Sequence, residues 1–169
     1  MRRESRTPLP RPGMIHKLRR VNGLRSRPIG AVLAGGRGRR IGGDKAIVTL
    51  AGRPLLSYPV QAMRAALDQV VVVAKPSTAL PALGAVPVWE KPEQPSHPLV
   101  GIVEALRRAL GGWVLVCAGD MPFVPVSLLQ SLAALDPAGA PAVVASSAGR
   151  GLQPLSEDLR EAEALLASG

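Results

Sequence analysis

The chain reads as an α/β protein with a mostly parallel sheet and crossover helices. Short apolar runs bounded by turn residues alternate with longer segments of helical period, the pattern of strand, crossover helix and parallel strand. Aromatic residues are few (Tyr58, Trp89, Trp113 and Phe123), so the core is built from Ala, Val and Leu, as in helix-covered parallel sheets. At 169 residues and 47% apolar content there is enough chain for one sizeable core.

The elements follow in order. A strand is expected at 29–33, then a glycine-rich loop, then a helix at 54–67 whose leading proline suits a first turn. Strands at 70–74 and 86–89 precede a helix at 98–110, with Ile102, Val103, Leu106 and Leu110 on one face. A strand at 113–117, a helix at 127–135 and a strand at 142–145 continue the alternation. A last helix at 156–167 has an apolar stripe of Leu159, Ala162, Leu165 and Leu166, and Glu157, Asp158, Glu161 and Glu163 place acid at the positive end of its dipole. Right-handed crossovers bring the loops after the strands to one edge of the sheet, where ligands of open α/β folds bind. No repeat or linker divides residues 29–169, which are expected to form one domain.

The net charge of +9 is concentrated at one end: residues 1–28 hold nine Lys or Arg against one Glu, so the rest carries only +1. Nucleic-acid binding by the body is therefore not expected, and the basic segment reads as a disordered tail or an upstream stretch outside the fold. It has no stacking aromatic residue for RNA and no apolar stretch of signal-peptide length, and Met14 is a second candidate start. One cysteine, Cys117, excludes an internal disulfide, and no segment has the length of a membrane span, so the expectation is a cytoplasmic protein without membrane attachment.

The most informative stretch is 29–46, IGAVLAGGRGRRIGGDKA, a strand running into a loop with five glycines, three arginines and a lysine. Glycine lets backbone N–H groups close on an anion, and Arg37, Arg39, Arg40 and Lys45 supply charge-assisted donors, so the loop suits a nucleotide's phosphates. Neither common phosphate motif fits. Gly36, Gly38 and Gly42 are spaced G-x-G-x-x-x-G, one residue too wide for a dinucleotide fingerprint, and the nearest P-loop frame puts Asp44 before Lys45 and lacks the Ser or Thr that holds magnesium.

The residues L-A-G-G-x-x-x-R-x-x-G-D-K at 33–45 resemble the signature of the Rossmann-like nucleotidyltransferases, and among them the molybdenum cofactor guanylyltransferases, which implies a Rossmann-like three-layer sandwich of the nucleotide-diphospho-sugar transferase type. The resemblance runs through Gly52-Arg53-Pro54-Leu55, through Pro98-Leu99-Val100-Gly101, similar to P-L-x-G, and through Cys117-Ala118-Gly119-Asp120-Met121-Pro122, similar to C-x-x-D-x-P. It covers about residues 29–155. It implies that Leu33, Ala34, Gly35 and Gly36 cradle GTP, since LAGG marks guanine-selective members, with Arg37, Arg40 and Lys45 on the triphosphate. It implies that Asp120 holds Mg²⁺, where a lone Asp after a strand otherwise reads as a turn or cap, and that Glu90 and Gly101 meet the nucleotide. Lys45, Arg40 and Asp120 are then the catalytic candidates.

The reaction so implied is transfer of GMP from GTP to the phosphate of molybdenum-bound molybdopterin, with Mg²⁺ as cofactor and molybdoenzymes or their chaperones as possible partners. Glu90 departs from the usual Asp, and Val73 and Lys75 stand where some relatives carry Asn. After Gln153-Pro154-Leu155 only fourteen residues remain, fewer than the family's further sheet, helix and pterin-holding Asn motif require, so the domain is C-terminally short by comparison. The alternatives are cytidylyl transfer to the pterin, transfer to a sugar phosphate, or a non-catalytic nucleotide-binding partner. Asp44 is a candidate ion-pair partner for Lys45, and Gly101 suits either close approach of a base or helix packing. Cys117 reads as a buried structural thiol rather than a nucleophile, and His16 and His97 suggest no zinc site.

Overall fold

In a computed structural model the described residues are 27–35, 37–38, 43–95 and 97–135, with the backbone alone described at 37, 38, 43 and 44. The sheet starts from β1 (Ile29–Leu33), as expected, and the glycine loop that follows carries a short antiparallel ribbon, β2 (Arg37–Gly38) with β3 (Gly43–Asp44). A second ribbon, β4 (Thr49–Leu50) with β5 (Arg53–Pro54), turns tightly through Ala51 and Gly52, whose φ angles of 49° and 76° are both left-handed. Pro54 is therefore in a hairpin and not in a helix. The helix α1 (Ser57–Ala66) begins three residues later than its sequence period suggests, and the Ser57 hydroxyl donates to the Pro54 carbonyl at 2.6 Å.

Next come β6 (Val70–Ala74), five buried residues of which four are valine, β7 (Val88–Glu90), α2 (Pro98–Arg108), β8 (Val114–Ala118) and α3 (Val126–Ala134). β7 starts later than expected because Pro87 has no N–H for the ladder, although its carbonyl still accepts from Val72. α2 stops short of Leu110, which has a left-handed φ of 50°. The expected strand at 142–145, the helix at 156–167, the Gln153-Pro154-Leu155 element, His16 and most of the basic tail lie outside the described residues. Arg27 and Pro28 are described, and Arg27 pairs with exposed Asp68 at 3.3 Å.

β7, β6, β1 and β8 form one sheet in that order, and every pairing is parallel. From β1 the chain steps outward to β6 and β7, then crosses back to place β8 on the other side of β1. The strand order thus reverses between β1 and β8, and a crevice outside the carboxyl ends is expected there. Side chains alternate across the sheet. Val32, Val70, Val72 and Cys117 pack with Leu56, Val60 and Met63 on the α1 and α3 side, while Ala31, Val71 and Val73 pack with Ala105 of α2 on the other, completing three layers. No helix among the described residues is long and apolar enough to cross a membrane.

Candidate active site

The carboxyl end of β1 is built by close backbone approach. The Leu33 carbonyl accepts from the Gly119 N–H at 2.9 Å, and a Cβ on Gly119 would lie 2.9 Å from that oxygen and 2.9 Å from Leu56 Cδ1. Only glycine lets β8 leave the sheet so tightly against β1, and the next residue, Asp120, emerges over the β1 loop. On the other side the Ala34 N–H donates to the Val73 carbonyl at 2.8 Å, and Gly35 takes a φ of +109°, which a side chain would strain, beside Thr78. The β2–β3 ribbon then returns the chain to Lys45. Its Nζ lies 2.8 Å from Asp120 Oδ2, a contact between residues 75 apart in sequence.

Both partners of this ion pair are open to solvent, with 39% and 42% of their side chains exposed. Such a pair contributes only about 0–1 kcal/mol, so each partner exchanges readily for a stronger one. The ammonium can turn to a phosphate oxygen and the carboxylate to a divalent cation. No group of three or more His, Cys, Asp or Glu residues able to hold a metal occurs among the described residues. The donor set suits Mg²⁺ arriving with a nucleotide, because that ion takes one or two carboxylates and fills its shell with water and phosphate oxygens.

Leu33, Ala34, Gly35, Lys45 and Asp120 are thus gathered at one edge. Gly36 and Arg40, like Arg39, lie outside the described residues; Arg37 pairs with Asp44 through the backbone, and the expected Lys45–Asp44 contact concerns a side chain that is not described. Glu90 ends β7, exposed, one strand beyond β6. Its neighbour Trp89 packs on the α2 side, so by strand alternation the Glu90 carboxylate faces away from α2. Gly101 is explained by packing: a Cβ there would lie 3.0 Å from Leu33 Cδ2 and 3.6 Å from Lys91 Nζ. His97 is the N-cap of α2 and accepts the Leu99 N–H at Nδ1, 3.3 Å away.

Cys117 is buried, and burial, reinforced by nearby Asp120, pushes its thiol up to about 11. A thiol so protonated is no nucleophile at neutral pH. The native protein is expected to resist iodoacetamide at pH 8 and to be labelled once unfolded. The folded state keeps the thiol proton to higher pH than the unfolded chain, so this contribution to stability is intact below pH 9 and is lost as pH rises from 9 toward 11. Denaturant titrations across that range check it.

Sequence reading missed Lys91, the one charged residue buried among those described, at 6% exposed. Its position after Glu90 and before Pro92 gives no pattern from which burial could be read. A shallow depression of about 630 Å³ lined by Ile29, Arg64, Asp68, Val70 and Trp89 lies at the opposite, amino edge of the sheet, away from all of these groups.

Residues 30–168 match the family described as MobA-like NTP transferase domain. Over 110 residues the chain is 40% identical to a molybdenum cofactor guanylyltransferase of Cereibacter sphaeroides, covering 63% of this chain and 56% of that protein. Over 100 residues it is 43% identical to a probable molybdenum cofactor guanylyltransferase of Thermococcus kodakarensis, covering 57% of this chain and 47% of the relative. The crystal structure of molybdopterin-guanine dinucleotide biosynthesis protein A from Archaeoglobus fulgidus superposes with a TM-score of 0.50 at 31% identity, over 61% of this chain and 52% of that one. The matched region spans roughly half the length of these curated relatives.

Proposed function

This chain belongs to the MobA-like NTP transferase domain family, and from that premise we propose that it transfers GMP from GTP to the phosphate of molybdenum-bound molybdopterin. The observation that carries the reading is the Lys45–Asp120 pair, two opposite charges delivered by the loops after β1 and β8 to the reversal point of the sheet. One is suited to a triphosphate and the other to the cation that accompanies it. The names of the relatives at 40% and 43% identity support guanine as the base and the pterin as the acceptor.

In this mechanism an oxygen of the acceptor phosphate forms a bond to the α-phosphorus of GTP. The bond from that phosphorus to the bridging oxygen breaks, and pyrophosphate leaves with the electron pair. No general base is needed, because the attacking phosphate is already ionised. Lys45 leaves Asp120 for the β- and γ-phosphate oxygens and neutralises charge as it builds on the leaving group. Asp120 would hold a Mg²⁺ ion, which when bound would screen the phosphate charges from one another. The glycines before Lys45 supply close backbone approach, and Arg37 and Arg40 add cationic donors.

The test is pyrophosphate release by the full chain with GTP, CTP and ATP, with and without molybdopterin and with Mg²⁺ or EDTA. Release with GTP that requires both acceptor and Mg²⁺ is expected. GTP binding without release under any of these conditions would leave only a nucleotide-binding module.

A further inference from the structure

Lys91 follows β7 at the same edge of the sheet as the Lys45–Asp120 pair. Its backbone N–H donates to the Ala74 carbonyl at 2.8 Å, which continues the ladder and fixes the start of the side chain. The side chain runs beneath the first turn of α2 into the slot left by Gly101, and its Nζ and Leu33 Cδ2 both lie within 4 Å of the point a Gly101 Cβ would occupy. The ammonium therefore ends beside the first residue of the L-A-G-G loop. It has no hydrogen-bond or ion-pair partner among the described residues, and burial together with Lys75 lowers its pKa from the usual lysine value. No side-chain nitrogen or oxygen among the described residues is both fully buried and unpartnered, so the Lys91 ammonium keeps an opening from the slot at which a ligand can supply the acceptor.

Two features separate the candidate acceptors. α2 offers little to an anion, because Pro98 has no N–H, the Leu99 N–H is taken by His97 Nδ1 and the Val100 N–H by the His97 carbonyl at 3.2 Å. A phosphate in the slot would have little beyond one ammonium to hold it. The second feature is distance. With β6 and β1 between them, the ends of β7 and β8 are about 14 Å apart at the usual strand spacing. A nucleotide whose triphosphate rests on Lys45 and which extends along this edge toward β7 reaches Lys91 with its base, not its phosphates.

We propose that Lys91 is a base-specificity residue, donating from the Gly101 slot to the O6 and N7 acceptors of guanine. A lysine has donors and no acceptor. Guanine presents two acceptors on that edge, whereas adenine and cytosine place an amino donor there. The inference rests on the guanylyl-transfer reading above and adds to it the group that selects the base.

The experiment is equilibrium titration of the full chain with GTP, ITP and ATP in Mg²⁺, for the wild type, Lys91→Met and Lys91→Arg. ITP keeps O6 and N7 and lacks the 2-amino group. The wild type is expected to bind GTP and ITP about 10- to 100-fold more tightly than ATP. Lys91→Met, which fills the slot with an apolar chain of similar length, is expected to lose that preference by weakening GTP and ITP while leaving ATP unchanged. Lys91→Arg is expected to recover part of it. An unchanged GTP-to-ATP ratio in Lys91→Met would overturn the assignment, and equal weakening of all three nucleotides would do the same by making Lys91 a structural or phosphate group. Both results leave the guanylyl-transfer reading standing. A wild type that binds none of the three nucleotides sinks that reading and this inference with it.

Discussion

Asp120→Asn is expected to lower GTP-dependent pyrophosphate release by about 10²- to 10³-fold, the scale on which a single electrostatic group at a reacting centre acts, with little change in melting temperature. The asymmetry follows from the pair's surroundings. With its side chain 42% exposed, the Asp120 carboxylate contributes little to folding through its contact with Lys45, yet it stands at the crevice between β1 and β8. The same substitution has an opposite effect on metal-free anions. Asp120 competes with phosphate for the Lys45 ammonium, so removing its charge is expected to tighten binding of pyrophosphate in EDTA by about 2- to 5-fold. A carboxylate that served only as a turn or helix cap would show neither the loss nor the gain. Calorimetric titration with pyrophosphate, beside steady-state rates, checks both.

Lys45→Met is expected to weaken every nucleoside triphosphate alike, without regard to the base, and to lower the rate of the chemical step by about 10²-fold. Charge moves onto pyrophosphate as the bond to the α-phosphorus breaks, so the ammonium matters more in the transition state than in the bound ground state. kcat is therefore expected to fall together with kcat/KM, not KM alone to rise. The double variant Lys45→Met/Asp120→Asn is expected to be little worse than the poorer single variant, because the two groups act on one phosphate chain. Independent, multiplying losses would mean that the two residues serve separate sites.

Much of this organisation is written in the sequence. The strands at 29–33 and 70–74 are found with those bounds, because unbroken apolar runs between turn residues have one comfortable place, the middle of a helix-covered sheet. Lys45 and Asp120 are singled out by the loops that hold them. Their direct contact is not legible, since it depends on Gly119 drawing the end of β8 against Leu33, a tertiary approach with no local signature. The hairpin that displaces the start of α1 is hidden for a similar reason: its turn residues are Ala51 and Gly52, and alanine is an uncommon choice for a left-handed position. Gly101 reads equally well as a base contact or as packing until Leu33 and Lys91 are seen against it. Lys91 is least legible, because a lysine after a strand is ordinarily solvated and its burial against Gly101 of α2 is a tertiary contact with no local signature.

The most direct test of the central claim is a crystal structure of the full chain with a non-hydrolysable GTP analogue and Mg²⁺. The expected result is a triphosphate on the β1 loop, with Lys45 Nζ turned from its 2.8 Å contact with Asp120 onto phosphate oxygens and the Asp120 carboxylate on the metal. An intact Lys45–Asp120 pair, with the nucleotide bound elsewhere or absent at saturating concentration, would contradict it.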